Sequence, residues 1–165
     1  MKKSFLLLIG IVFITFSGIN AQKYGHINGD EVFAKMEDAK KADAELKKYV
    51  KGYEDEIKKM QDEYASKAKE YKANEKTMTD VIKKSRVDDL NALNEKLQKF
   101  QVSAQEDVMK KRTELYKPVN EKFKAALKKV AKKNGYKFII DKRYLLYSED
   151  GYDATKAVEK ELGIK

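Results

Sequence analysis

Leu46, Val50, Tyr53, Ile57, Met60 and Tyr64 follow one another at steps of 4, 3, 4, 3 and 4, and Tyr71 falls one heptad later. A seam of that period is what two packed helices need, because alternate steps of three and four keep apolar side chains on one face. A second seam runs through Leu90, Leu93, Leu97, Phe100 and Ala104, and a looser one continues through Val108, Leu115, Val119, Phe123, Leu127 and Val130. Asn134-Gly135 after a lysine-rich last turn is a helix stop. The pattern predicts a first helix from Asp30 to about Lys76 and a second ending near Lys133. Asp30 is expected as the first cap, with Glu31 in the first turn where the helix dipole favours negative charge. Two equal antiparallel arms would then meet near residue 82. The segment 76–86 loses the heptad and collects Thr77, Thr79 and Ser85, each able to cap a helix, so the tip is placed there.

The ends of the chain read differently. Residues 24–28, Tyr-Gly-His-Ile-Asn, form a short β-prone run closed by Gly29. Tyr136 to Ile140 and Tyr144 to Tyr147 are two further β-prone runs, separated by Asp141-Lys142-Arg143. A last helix follows, capped by Asp153 or Thr155 and carrying Ala157, Val158 and Leu162 on one face. Three such strands make a sheet too small to be stable with its edges open, which favours self-association through Ile27, Phe138, Ile139, Ile140, Leu145 and Leu146. The fold class expected is mainly α: a long antiparallel two-helix coiled-coil hairpin, residues 30–134, on a small β-rich body built from 22–29 and 135–165.

Ahead of this lie Lys2 and Lys3, an unbroken apolar run from Phe5 to Phe16, and Ser17-Gly18-Ile19-Asn20-Ala21. A basic start, an apolar stretch of about a dozen residues and a small residue before the cut make a secretory signal, too short for a membrane span of about 20 residues. Residues 1–21 are therefore read as a signal peptide cut between Ala21 and Gln22. The sequence holds no cysteine, so neither disulfides nor a lipid-modified cysteine are open to it. Export into the periplasm as a soluble protein is the expectation.

Charge adds detail, since 36 basic residues stand against 27 acidic ones at a mean hydropathy of −0.72. Basic proteins favour acidic partners, and export leaves nucleic acid the least fitting of them. The basic excess is concentrated in two zones: Lys76, Lys83, Lys84 and Arg86 at the tip, and Lys110, Lys111, Arg112, Lys128, Lys129, Lys132 and Lys133 at the base of the second arm. Met78, Val81 and Ile82 lie at the tip outside any seam and are candidate contact residues. The tyrosines at 49, 53, 64 and 71 keep heptad spacing and are assigned to the seam. Pro118, the single proline, costs a helix interior about 3 kcal/mol and marks a kink or break where the arm enters the body.

Catalytic chemistry finds little footing. His26 is the only histidine, and it has no nucleophile beside it in a recognisable motif. Glu54, Asp55 and Glu56 are consecutive, so on a helix they point in different directions. Phosphate-loop and zinc spacings do not occur. The chain is read as a non-enzyme needing no cofactor, no metal and no nucleotide.

Residues 24–33, Tyr-Gly-His-Ile-Asn-Gly-Asp-Glu-Val-Phe, resemble the opening strand and helix start of the Skp/OmpH family of periplasmic chaperones. Ala39-Lys40-Lys41-Ala42 with Leu46 resembles the start of its first arm. The closing stretch is similar too: Lys117-Pro118-Val119, Val130-Ala131-Lys132-Lys133-Asn134-Gly135-Tyr136, Phe138-Ile139-Ile140-Asp141, Leu145-Leu146-Tyr147 and Tyr152-Asp153-Ala154-Thr155 follow the family's order. The resemblance implies a homotrimer whose helical arms surround a cavity for unfolded outer-membrane proteins, held without ATP. A structural coiled coil of the envelope and a binder of anionic lipid or lipopolysaccharide are the alternatives.

Overall fold

The first helix is capped two residues earlier than expected. In the computed structural model, which describes residues 23–164, Oδ1 of Asn28 accepts the Glu31 backbone N–H at 3.2 Å, and the Asn28 side-chain amide donates to Glu31 Oε2 at 3.2 Å. The first bond caps the helix by satisfying a backbone donor that the first turn leaves open, and the second ties the two side chains together. Asp30 is no cap: its carboxylate pairs instead with the Arg143 guanidinium, 3.3 Å away. The signal peptide and its cut between Ala21 and Gln22 lie outside the described residues.

Strand β1 (Lys23–Ile27) leads through Asn28 into α1 (Gly29–Lys35). The single helix predicted from Asp30 to Lys76 is broken at Met36, where φ is −66° and ψ 122°, before α2 (Glu37–Asn74) begins. Met36 is buried among Val32, Ala39 and Val119 in the core, so packing of its side chain holds a break that contains neither glycine nor proline. A 3₁₀ turn at Glu75–Thr77 closes the tip, and α3 (Asp80–Asn134) runs back. The tip is thus shorter and earlier than the segment 76–86, and residues from Asp80 onward already belong to α3. Pro118 breaks nothing, since α3 continues through it. Gly135, at φ 71°, ends the helix in the left-handed conformation that a side chain resists.

The two arms are antiparallel and in register: Asp38 meets Lys122, Glu45 meets Lys111, Tyr53 meets Asp107 and Glu70 meets Arg86. At 1.5 Å per residue the 38 residues of α2 extend about 57 Å and the 55 of α3 about 82 Å. The arms are therefore unequal. The extra length of α3 reaches into the body, where Val119, Ala126 and Val130 join Ile27, Val32, Met36, Ala39, Ala42, Ala154 and Val158 in one core. Along the arms only Met60 and Ala104 are buried, while Leu46, Val50, Ile57, Leu90, Leu93, Leu97 and Phe100 are half-buried in a narrow seam.

Among the described residues the body sheet has two strands. β1 pairs in parallel with β2 (Tyr136–Asp141), Gly25 opposite Ile139 and Ile27 opposite Asp141. The predicted third strand, Tyr144 to Tyr147, does not form: Lys142–Tyr144 is a 3₁₀ turn, residues 145–147 join no sheet, and the chain next meets β1 at an isolated parallel bridge between Asp153 and His26. A local preference for β structure makes a strand only where tertiary packing lays the run along a sheet edge. Helix α4 (Thr155–Glu161) is started by Asp153, whose Oδ1 accepts the Thr155 N–H at 2.8 Å. It is pinned to β1 twice, Ala154 N–H donating to the His26 carbonyl at 2.8 Å and Asn28 N–H to Thr155 Oγ1 at 3.0 Å. Val158 is fully buried and Leu162 partly so, but Ala157 faces solvent rather than sharing their face.

Candidate contact surfaces of the body and arms

The oligomerisation residues divide into two sets. Ile27 is buried and Ile139 half-buried, both used by this chain's own core. Leu145 is half-buried, whereas Phe138, Ile140 and Leu146 are exposed, Leu146 completely, so polar substitution there would not reach this chain's core. Around them Tyr24, Tyr144, Tyr147 and Tyr152 are also exposed, and the Tyr24 and Phe138 rings stack with centroids 5.9 Å apart. Tyr24, Ile140, Leu145 and Tyr152 line a hollow of about 270 Å³ with His26 at its wall. Such a concentration of large apolar side chains on one small body exceeds the scattered exposure normal to a monomer.

His26 itself is structural in its contacts. Buried in β1, it places Nε2 3.0 Å from the Glu149 carbonyl, which can only accept, so Nε2 carries the hydrogen. Nδ1 has no hydrogen-bond partner among the described residues.

At the tip, Val81 is 80% exposed and Ile82 about half exposed, and Met78 is half-buried. Lys83 lies 4.0 Å from Asp80 and Arg86 3.7 Å from Glu70, both long and solvated, while Lys76 and Lys84 make no ion pair among the described residues. The basic base zone does not stay together. Lys111 is bound to Glu45 at 3.0 Å and Glu114 at 3.6 Å, which hold its ammonium above the usual range, and Lys129 is bound to Glu161 at 3.0 Å. Lys110, Arg112, Lys128, Lys132 and Lys133 are exposed and make no ion pair among the described residues.

Two features escaped the sequence reading. Val102 and Met109, one heptad apart on α3, are well exposed and sit off the seam. Midway along the arms Tyr49, Gly52, Tyr53 and Phe100 line an open groove of about 440 Å³. Beside it the Tyr53 hydroxyl donates to Asp107 Oδ2 at 2.9 Å, with the Tyr49 hydroxyl 3.4 Å away. These two hydrogen bonds, the Tyr49 one foremost, push the Tyr53 phenol well above its ordinary range. Heptad spacing placed these tyrosines on the seam correctly but could not show the carboxylate opposite them. Among the described residues there is no cluster of metal-ligating side chains, and no helix is long and apolar enough to cross a membrane.

Against known families, residues 23–162 match the model of the outer membrane protein (OmpH-like) family. The chain belongs to that family. This OmpH-like protein is 29% identical over 162 residues to an uncharacterized protein of Aquifex aeolicus (strain VF5), covering 98% of this chain and 96% of that one. Its fold is similar to the crystal structure of an OmpH-like protein from Caulobacter crescentus CB15 assigned as an outer membrane chaperone. That match has a TM-score of 0.73 at 16% identity, covering 88% of this chain and 86% of the other.

Proposed function

We propose that this OmpH-like protein is an ATP-independent chaperone of the periplasm that holds unfolded outer-membrane proteins, working as a homotrimer. The observation that carries the reading is the distribution of apolar surface. A monomeric chain with this little core does not ordinarily leave Phe138, Ile140, Tyr144, Leu146, Tyr147 and Tyr152 exposed together. The open edges of a two-stranded sheet beside them offer backbone donors and acceptors to another chain. The Tyr144–Tyr147 run, left unpaired within the chain, is the strand a neighbouring copy would take up. Three copies joined by their bodies would place three pairs of long, solvated arms around a common space.

Within that space, contact with a client falls to side chains that no arm packing uses: Met78, Val81 and Ile82 at the tip, and Val102 and Met109 on α3. Methionine and aliphatic side chains adapt to partners of varied shape, and the lysines around the tip draw acidic segments inward. Light scattering of the purified protein is expected to give three times the chain mass. Dilution of a urea-denatured β-barrel protein into it, without nucleotide, is expected to give a soluble complex of larger mass. A monomer at micromolar concentration, or a client that elutes separately, would refute the reading.

A further inference from the structure

α2 holds one glycine, Gly52, and the fold does not ask for it. Its backbone is ordinary right-handed helix, and a Cβ placed there would meet nothing within 4 Å. Glycine weakens a helix interior relative to alanine, so the arm is less stable for it and gains no steric relief. What the missing side chain leaves is space: Gly52 lines the groove of about 440 Å³ midway along the arms, walled by Tyr49, Tyr53 and Phe100. The Tyr49 and Tyr53 rings meet edge to face at 5.3 Å, and the Phe100 ring is tilted against Tyr53 at 5.7 Å. The Tyr53 hydroxyl donates to Asp107 and the Tyr49 hydroxyl sits 3.4 Å from it, so the polar ends of both rings are engaged and the wall is carbon surface. Glu45 and Lys48 complete the rim. Glu45 is the one acid among the positions a turn from Lys48, namely 44, 45, 51 and 52, and it is bound to Lys111 at 3.0 Å instead. Lys48 is exposed and makes no ion pair among the described residues.

We propose that this groove seats one aromatic side chain of an unfolded polypeptide, next to an acidic residue of the same segment whose carboxylate meets Lys48. The proposal rests on the reading of the protein as a holder of unfolded clients, and adds a recessed subsite to the free side chains at the tip and on α3. An aromatic occupant suits the wall, because rings favour edge-to-face and offset contact with further rings. The bare Gly52 lets the backbone that carries it lie close to α2. Charge then sorts the segments: an acidic neighbour is drawn to the unengaged ammonium of Lys48, and a basic one is repelled by it. A solvated ion pair is worth up to about fivefold in affinity, so Lys48 selects while the aromatic wall does most of the holding.

The chain contains no tryptophan, so the fluorescence of a tryptophan peptide reports its own burial. The full-length mature protein is titrated into acetyl-Gly-Trp-Asp-Gly-amide and into acetyl-Gly-Trp-Lys-Gly-amide. With the parent, both emissions should shift to the blue, and the aspartate peptide should bind roughly three- to fivefold more tightly. Lys48→Gln should keep the blue shift and remove the preference, whereas Lys47→Gln, one residue away and also exposed, should keep both. Gly52→Leu fills the groove and should weaken both peptides at least tenfold. It introduces a better helix former where a side chain meets nothing, so its helical circular dichroism and melting temperature should equal or exceed the parent's. If leucine disturbs the arm, Gly52→Ala should give a smaller loss of binding on a fold that melts slightly higher. Gly52→Leu binding as the parent does, no blue shift with the parent, or equal loss of preference in the two lysine variants would overturn the proposal. A change of mass by light scattering in Gly52→Leu would also overturn it, since another copy of the chain would then fill the groove. The turbidity of a denatured β-barrel protein separates this outcome from the wider reading: a parent that suppresses turbidity yet leaves the peptides free loses the subsite alone. A parent that binds the peptides yet leaves turbidity unchanged loses client holding.

Discussion

Tyr53 on α2 and Asp107 on α3 are joined across the arms by a hydroxyl hydrogen bond of 2.9 Å, at the level where Phe100 packs on the Tyr53 ring. The seam is narrow there, so this polar link fixes the register that apolar contacts alone leave loosely defined. Tyr53→Phe should lower the melting temperature by a few degrees. Asp107→Asn, which can still accept, should lower it less. The raised Tyr53 phenol adds a pH sign. Its contribution is fully present below the ordinary tyrosine value near 10 and is lost as pH rises through the higher folded value. Calorimetry of the parent and Tyr53→Phe between pH 8 and 11 should show the parent's excess stability constant up to about pH 10 and beginning to decline above it.

The Asn28 cap is open to a single substitution. Asn28→Ala removes the acceptor for the Glu31 N–H and the donor to its carboxylate, and should cost about 1 kcal/mol in chemical denaturation. Asp30→Ala, at the position the sequence favoured as the cap, loses only an exposed ion pair with Arg143 and should cost well under that.

Acid should act on the body through Asp141. The Arg143 guanidinium forks onto its two oxygens at 3.0 and 3.1 Å, and holds the carboxyl below the usual range. A depressed carboxyl contributes stability above the ordinary value near 4, and that contribution disappears as pH falls through the folded value. Arg143→Gln should therefore narrow the difference in melting temperature between pH 5 and pH 3, leaving the mutant less stable at the upper pH and nearly equal to the parent at the lower.

Assembly and folding should separate at Leu146. Its side chain is fully exposed in the single chain, so Leu146→Asp places no charge in this chain's core and should leave the helical circular dichroism intact. If the body faces of three copies meet there, the same substitution buries a charge between them and should yield monomers by light scattering. Val158→Asp, by contrast, puts a charge at a fully buried position and should abolish folding outright.

How far these features are legible in the residues follows from the range of the forces involved. The arm seams repeat every heptad, so Leu46, Val50, Ile57, Leu90 and Leu97 could be placed from spacing alone, as could the Gly135 stop. Asn28 and Asp30 are both good caps, and only the docking of Arg143 against Asp30 tells them apart. The break at Met36 carries no glycine or proline signal because it is held by the core formed with α3, some eighty residues further on. Tyr144 to Tyr147 has strand composition but no strand to pair with inside one chain. The base-zone lysines look alike in sequence, and they divide into neutralised and unneutralised sets only when α2 and α4 bring Glu45 and Glu161 beside Lys111 and Lys129. Spacing cannot reveal the Tyr53–Asp107 link for the same reason.

Suppression of client aggregation reaches the central claim most directly. A urea-denatured outer-membrane β-barrel protein is diluted into buffer without nucleotide, and turbidity is followed with and without the mature protein at about one trimer per client. Turbidity should stay near baseline with the parent. It should rise with a variant carrying Val81→Ser, Ile82→Ser, Val102→Ser and Met109→Ser, whose helicity and mass match the parent. Aggregation of the client at the same rate with and without the folded, assembled parent would contradict the account.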